Sequence, residues 1–263
     1  DVQRWFQLYL WQDRDASLEL MARAQAAGFG TLVLTVDTAI AGQRLRDVRN
    51  GMTIPPQLTP KTLADMALHP RWWANLLTTE PLEFASLRES GGTVEQLVNR
   101  MFDPTLNTSD LVWLRENWSG AIVLKGIQNV EDAKEFIDLG ADGLIVSNHG
   151  GRQLDRSVTP LDVLPEIAAA VGGRVPVLLD TGVMHGGDIV AAVANGADAV
   201  MVGRAYLYGL MAGGEAGVAR ALDILINQVH RTMRLLGVTA LDQLTPDHAV
   251  LHPAGAQPSP SYP

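Results

Sequence analysis

The chain predicts an α/β fold, a (β/α)8 TIM barrel of which about six of the eight βα units are present, on three observations. Short apolar runs without polar alternation recur along it, the pattern of parallel strands covered on both faces. Amphipathic helix-like segments separate them, and a helix-ending glycine precedes a strand in the repeated phrases Gly140-Ala-Asp-Gly-Leu-Ile-Val-Ser147 and Gly196-Ala-Asp-Ala-Val-Met-Val-Gly203. The runs end in Gln7/Tyr9, Thr35/Asp37, Lys125, Ser147, Asp180 and Gly203/Arg204, which collects polar groups at one end of the sheet. A doubly wound sheet also alternates, but it does not require such residues at the end of every strand.

In chain order, Trp5 to Leu10 reads as a strand by its aromatic content. Asp15 to Ala27 carries Leu18, Met21, Ala22 and Ala26 at helical spacing and closes at Gly28. Strands follow at Thr31-Leu-Val-Leu-Thr-Val-Asp37, Ala121-Ile-Val-Leu-Lys-Gly126, within 140–147, at Val175-Pro-Val-Leu-Leu-Asp180 and within 196–203. Helices are expected around Val130 to Leu139 and Asp188 to Ala194. Residues 51–118 form a long insertion after the fourth barrel strand. It contains several short helical pieces, the basic and aromatic stretch Arg71-Trp-Trp-Ala-Asn-Leu-Leu77, and a helix through Leu111, Leu114 and Trp118 capped by Thr108 or Ser109. The barrel is expected to occupy residues 1–252, with a small, proline-rich disordered tail over 253–263. Two units are lacking for eight: they precede Asp1, another chain supplies them, or the fold is not a barrel.

Composition narrows the function. Twenty Lys and Arg against 29 Asp and Glu give a net charge of -9, with no Lys/Arg block, which argues against a nucleic-acid partner. The absence of cysteine removes disulfides, thiolate nucleophiles and thiolate metal sites, and is compatible with a reducing cytoplasm. No apolar run approaches a membrane span, so the expectation is a cytoplasmic protein, at most peripheral at the inner face of the cell membrane through the 71–77 stretch. A strand that begins almost at Asp1 suggests that sequence precedes it.

The densest chemistry lies in Ser147-Asn-His-Gly-Gly-Arg-Gln-Leu-Asp155, which follows the apolar run Gly143 to Val146. A buried strand that stops at a glycine-containing polar turn exposes its last side chains in a loop, and His149 and Arg152 are the leading candidates there. No metal ligand set is evident.

This motif, with Leu-Lys-Gly-Ile before it, Leu-Thr-Val-Asp and Trp-Phe-Gln-Leu-Tyr upstream and Val-Gly-Arg-Ala downstream, resembles the FMN-dependent α-hydroxy acid dehydrogenases and oxidases. That family includes lactate dehydrogenases and oxidases, glycolate oxidase and mandelate dehydrogenase. The likeness is collinear from Trp5 to about Leu244 and corresponds to the last two-thirds of a usual member, from the third strand to the eighth.

The resemblance implies FMN as cofactor and oxidation of an L-2-hydroxy acid, lactate foremost, to the 2-keto acid. Electrons would pass to a quinone, a cytochrome or oxygen. It implies His149 as base, Asp37 as the carboxylate behind it, Arg152 and Arg44 as the clamp on the substrate carboxylate, and Tyr9 as a substrate hydrogen-bond partner. The choice of Arg44 over Arg46 and Arg49 rests on the spacing from Asp37 through Gly42. Lys125 would stabilise the reduced ring, with Gln7, Thr35 and Ser147 at its polar edge. Asp180, Gly182, Gly203 and Arg204 would serve the ribityl and phosphate end. A homotetramer is implied, with a second chain as one source of the front portion. The alternatives are an oxygen-using oxidase, a mandelate-type dehydrogenase, and a non-catalytic barrel fragment or subunit. One departure stands out: Thr181-Gly-Val-Met-His185 puts Met184 where the family usually has an arginine at the FMN phosphate. The expectation is phosphate binding through Arg204 and backbone amides, with His185 in support.

Overall fold

A computed structural model describes residues 3–42, 44–51, 59–79 and 103–251. Six parallel strands form one sheet in sequential order: β1 Trp5–Leu8, β2 Thr31–Thr35, β3 Ala121–Ile127, β4 Gly143–Val146, β5 Val177–Leu179 and β6 Ala199–Val200. Every pair is parallel, so each connection crosses over through a helix or the insertion. An order that never reverses is that of a barrel sector and not of a doubly wound sheet. The fold is a partial TIM barrel, six strands of the expected eight.

Alternation along the strands explains why they read as continuously apolar. Leu32, Leu34, Ile122, Leu124, Leu144, Val146, Val177 and Leu179 point to the helix layer and join the main core. Val33, Val123, Ile145 and Leu178 point the other way and form a separate cluster along the barrel axis. Both faces are thus dry. A fully buried Leu or Ile side chain in such a position contributes about 1.5–3 kcal/mol.

The helices that cover the outer face are α1 Arg14–Ala26, α5 Thr108–Asn117, α6 Val130–Asp138, α7 Pro160–Val171 and α8 Gly186–Ala194. The segment between β2 and β3 contributes the short α2 Leu45–Arg49 together with α3 Pro60–Ala67 and α4 Pro70–Thr78. The chain closes with α9 Arg204–Leu236, broken at Gly213 and Gly214, and two 3-10 turns. At the break Gly214 takes φ +59°, a conformation suited to glycine. Three of these helices, α2, α7 and α9, carry no sequence expectation.

One cap differs from the sequence reading. Asn107, and not Thr108 or Ser109, caps α5: its side chain accepts from Ser109 N–H, and Asp110 reaches back to the Asn107 amide. Asp110 also binds Arg14 at 2.7 Å, and Arg14 reaches Asp103 at 2.8 Å, so the end of the insertion is tied to the start of α1. β1 and β2 begin where expected and end two residues earlier, β3 runs one residue past its expected end, and β5 is shorter at both ends. The remaining helical pieces expected within 51–118 and the tail expected at 253–263 lie outside the described residues.

Candidate active site

The inward face of the sheet changes from apolar to polar as the strands run to their C-terminal ends. Thr35, Lys125, Ser147 and Asp180 each stand two residues beyond an axial residue, Val33, Val123, Ile145 and Leu178, and therefore share its face. Gln7 is the register partner of Val33 and donates to Thr35 Oγ1 at 2.9 Å. Lys125 Nζ lies 3.1 Å from Ser147 Oγ and 2.9 Å from Asp180 Oδ2. Five predicted residues from five strands thus form one polar layer above the axial cluster.

A bulge keeps this layer in place. The register of β3 against β4 shifts between Lys125 and Ile127, so that Lys125 keeps the axial face of Val123 while Ile127 joins the helix-side core. Gly126 takes φ +114°, and a Cβ there would stand 2.7 Å from Asp37 Cβ and 2.9 Å from Asp37 N. Only glycine allows the two backbones this approach.

His149 follows β4 in a left-handed conformation, φ +59°, uncommon for a residue with a side chain. Its amide donates to Ser147 Oγ at 3.1 Å, and its Nδ1 meets Asp37 Oδ1 at 3.0 Å. The Asp37 side chain is 4 % exposed, so the contact is held in a dry setting and engages Nδ1 of the ring. Asp37 Oδ2 is buried without a hydrogen-bond partner, and so is Arg44 Nε. An orphaned buried polar atom costs about 1–3 kcal/mol.

Two adjoining clefts open at this end. One, of about 510 Å³, is lined by Lys125, His149, Asp180, Gly182, Met184 and Gly203 among others. The second, of about 720 Å³, is lined by Asp37, Gly42, Arg44 and Gln153 among others. Gly150, Arg152 and Arg204 border both. The exposed Arg204 donates to Gly150 O at 3.3 Å. Tyr9 is not among the lining residues of either cleft; it sits half-buried just beyond β1, packed on Trp11 and Leu20.

The end near Met184 differs from the sequence expectation in one respect. His185 is consumed as the N-cap of α8, its Nδ1 accepting from Gly187 N–H at 2.9 Å, and it lines neither cleft. Asp188 accepts from the Met184 and His185 amides, and Gln228 from the Gly186 amide. The start of α8 is therefore closed by its own His185 and Asp188 together with Gln228 of α9. The start of α9 has no side-chain cap, and its preceding Gly203 has open space where a Cβ would be.

Three residues, Thr181, Gln153 and Gly42, make contacts that have no sequence signal. Thr181, at φ +85°, accepts from Gly150 N–H at 3.0 Å and donates to Asp180 Oδ1 at 2.8 Å, linking the histidine loop to the Lys125 ion pair. Gln153 spans to residues 40 and 42, and Gly42 abuts the backbone of Arg152. Glycine at 42 and glutamine within the nine-residue motif were visible as residues, but not as neighbours.

Residues 1–251 match the FMN-dependent dehydrogenase family. The chain belongs to it. It is 56% identical over 257 residues to a Mycobacterium tuberculosis protein that carries a provisional L-lactate dehydrogenase name, covering 96% of this chain and 62% of that protein. It is 41% identical to an L-lactate dehydrogenase of Alcaligenes faecalis, covering 95% and 67%. The crystal structure of a monotopic membrane protein, (S)-mandelate dehydrogenase, superposes with a TM-score of 0.88 at 40% identity, covering 94% of this chain and 67% of the other. The chain thus spans a little under two-thirds to two-thirds of the length of these relatives.

The donor set of this FMN-dependent dehydrogenase family member fits a flavin. A planar ring with amide edges needs hydrogen-bonding groups and a cation on one level, and the layer of Gln7, Thr35, Lys125 and Ser147 has that composition. A phosphate needs an open, donor-rich end, and the uncapped α9 start beside Gly203, with Arg204, has that character.

Proposed function

We propose that this chain provides the flavin- and substrate-binding part of an L-2-hydroxy acid dehydrogenase acting on L-lactate. The observation that carries the reading is the His149–Asp37 pair at 3.0 Å, which stands between the two clefts, His149 lining one and Asp37 the other, with Arg44 and Arg152 bordering the space beside Asp37.

Arg44 and Arg152, which border the same cleft, hold the substrate carboxylate. Tyr9 adds a hydrogen bond once turned to the site. His149 Nε2 takes a proton from the hydroxy acid, and Asp37 stabilises the imidazolium that results. FMN, when bound, would supply the acceptor for the two electrons and the second proton. Lys125, paired with Asp180, would place positive charge beside the ring, with Gln7, Thr35 and Ser147 serving its polar edge and Asp180 the ribityl chain. Gly182, Gly203 and Arg204 serve the phosphate, and Met184 leaves that duty to them.

A mandelate-type reading has one observation in its favour, the 0.88 TM-score to (S)-mandelate dehydrogenase. The same neighbour is a monotopic membrane protein, and α3 and α4 expose Leu63, Leu68, Trp72, Leu76 and Leu77. We propose on this basis a peripheral contact with the membrane surface; among the described residues no helix is long and apolar enough to cross a membrane. Steady-state turnover with an artificial electron acceptor tests the reading: pyruvate from L-lactate, faster than phenylglyoxylate from mandelate and with no peroxide in air, is expected. Equal rates with no 2-hydroxy acid present would refute it.

A further inference from the structure

We propose that Gln153 is a positioning residue that locks the loop bearing Arg44 to the loop bearing Arg152, and so sets the geometry of the carboxylate clamp. The inference rests on the function proposed above. Both ends of the Gln153 amide are used on one short stretch of backbone: Oε1 accepts from Gly42 N–H at 3.2 Å, and Nε2 donates to Ile40 C=O at 3.0 Å. A side chain that satisfies a donor and an acceptor two residues apart fixes the path of the loop as a neighbouring strand would.

The loops also touch backbone to backbone. A Cβ at Gly42 would collide with the Arg152 carbonyl and would stand 2.7 Å from Gln153 Cα and 2.8 Å from Gln153 Oε1. Gly42 is therefore the residue that lets the two loops close, and Gln153 the residue that holds them closed. Two ties now join the same pair of loops, Asp37 to His149 at the sheet end and Gln153 to Ile40 and Gly42 at the rim. One tie leaves a hinge, whereas two fix the relative orientation of everything between them. Arg44 and Arg152 sit immediately beside the second tie.

The position is not a core position. Gln153 is only partly buried, belongs to no hydrophobic cluster and lies in an exposed loop. Its removal leaves the sheet, the axial cluster and the Lys125 layer intact. The predicted cost therefore falls on carboxylate binding and not on the flavin or on folding.

The test uses flavin-loaded protein, wild type and Gln153→Ala, Gln153→Glu and Gly42→Ala. Five quantities are measured: the Kd of oxalate from perturbation of the flavin absorbance, KM and kcat for L-lactate, the flavin content and the urea midpoint. For Gln153→Ala the expected result is a tenfold or greater rise in oxalate Kd and lactate KM, with a smaller change in kcat and unchanged flavin content. Gln153→Glu should do the same, because it replaces the donor to Ile40 with an acceptor. Unchanged oxalate Kd and KM in Gln153→Ala would overturn the proposal, as would losses that merely follow a lower urea midpoint. Wild-type protein that binds flavin but neither oxalate nor any 2-hydroxy acid would instead overturn the functional reading, and this inference with it.

Discussion

His149 and Asp37 are 112 residues apart in the chain and 3.0 Å apart in the fold, Nδ1 against Oδ1, with the carboxylate side chain almost wholly buried. The pair orients the imidazole, so its two members are expected to fail differently. His149→Gln removes the proposed base and should lower turnover by about 10²–10⁴-fold with flavin still bound. Asp37→Asn keeps the base but loses the charge behind it, and a smaller fall is expected. Parallel measurements of kcat and flavin absorbance separate these outcomes.

Gly126→Ala should damage the same pair from behind. The new Cβ meets Asp37 at 2.7 Å in a backbone conformation, φ +114°, that side chains rarely adopt. A loss of about 1–3 kcal/mol in urea unfolding is expected, together with lower turnover. A variant as stable and active as wild type would refute the close approach.

Thr181 holds a strained β-branched conformation because its hydroxyl has two partners, Gly150 and Asp180. Thr181→Ser should keep stability and turnover, since it retains the hydroxyl. Thr181→Val retains the strain and leaves the Gly150 amide without its acceptor. Its expected cost is about 1–3 kcal/mol, read as a lower Tm.

Acid stability should depend on Asp103. Burial raises this carboxyl, but the Thr105 hydroxyl and amide and the Arg14 guanidinium outweigh that effect and hold it below its ordinary 3.8. A depressed folded-state value means that the stabilisation is complete above the ordinary value and is lost as pH falls through the depressed one. Asp103→Asn should therefore flatten the stability profile below about pH 4. Urea midpoints measured across pH 2–6 check this.

The parts of this fold legible in the sequence are those that depend on runs of one residue class. Strands β2 to β5 read as apolar because Leu32 and Leu34 face helices while Val33 faces the axis. The layer of Gln7, Thr35, Lys125, Ser147 and Asp180 was legible because each residue ends or lies close to the end of its strand. Relations that depend on where two distant segments meet were not. Gln153 lies 113 residues from Ile40, and nothing local marks the bond. The cap of α5 was misplaced by one or two residues because Asn107, Thr108 and Ser109 are all good cap formers, and Asp110 decides among them by reaching back to Asn107. His185 could be read as an anion ligand only until its ring nitrogen was seen to cap α8.

The most direct test of the account is anaerobic mixing of flavin-loaded protein with excess L-lactate, followed by absorbance, for wild type and His149→Gln. The account predicts rapid bleaching of the flavin band in the wild type, with pyruvate formed in equal amount. His149→Gln should bind the same flavin and bleach slower by two or more orders of magnitude. Bleaching at the wild-type rate without the imidazole, or a wild-type flavin that L-lactate leaves oxidised, would contradict it.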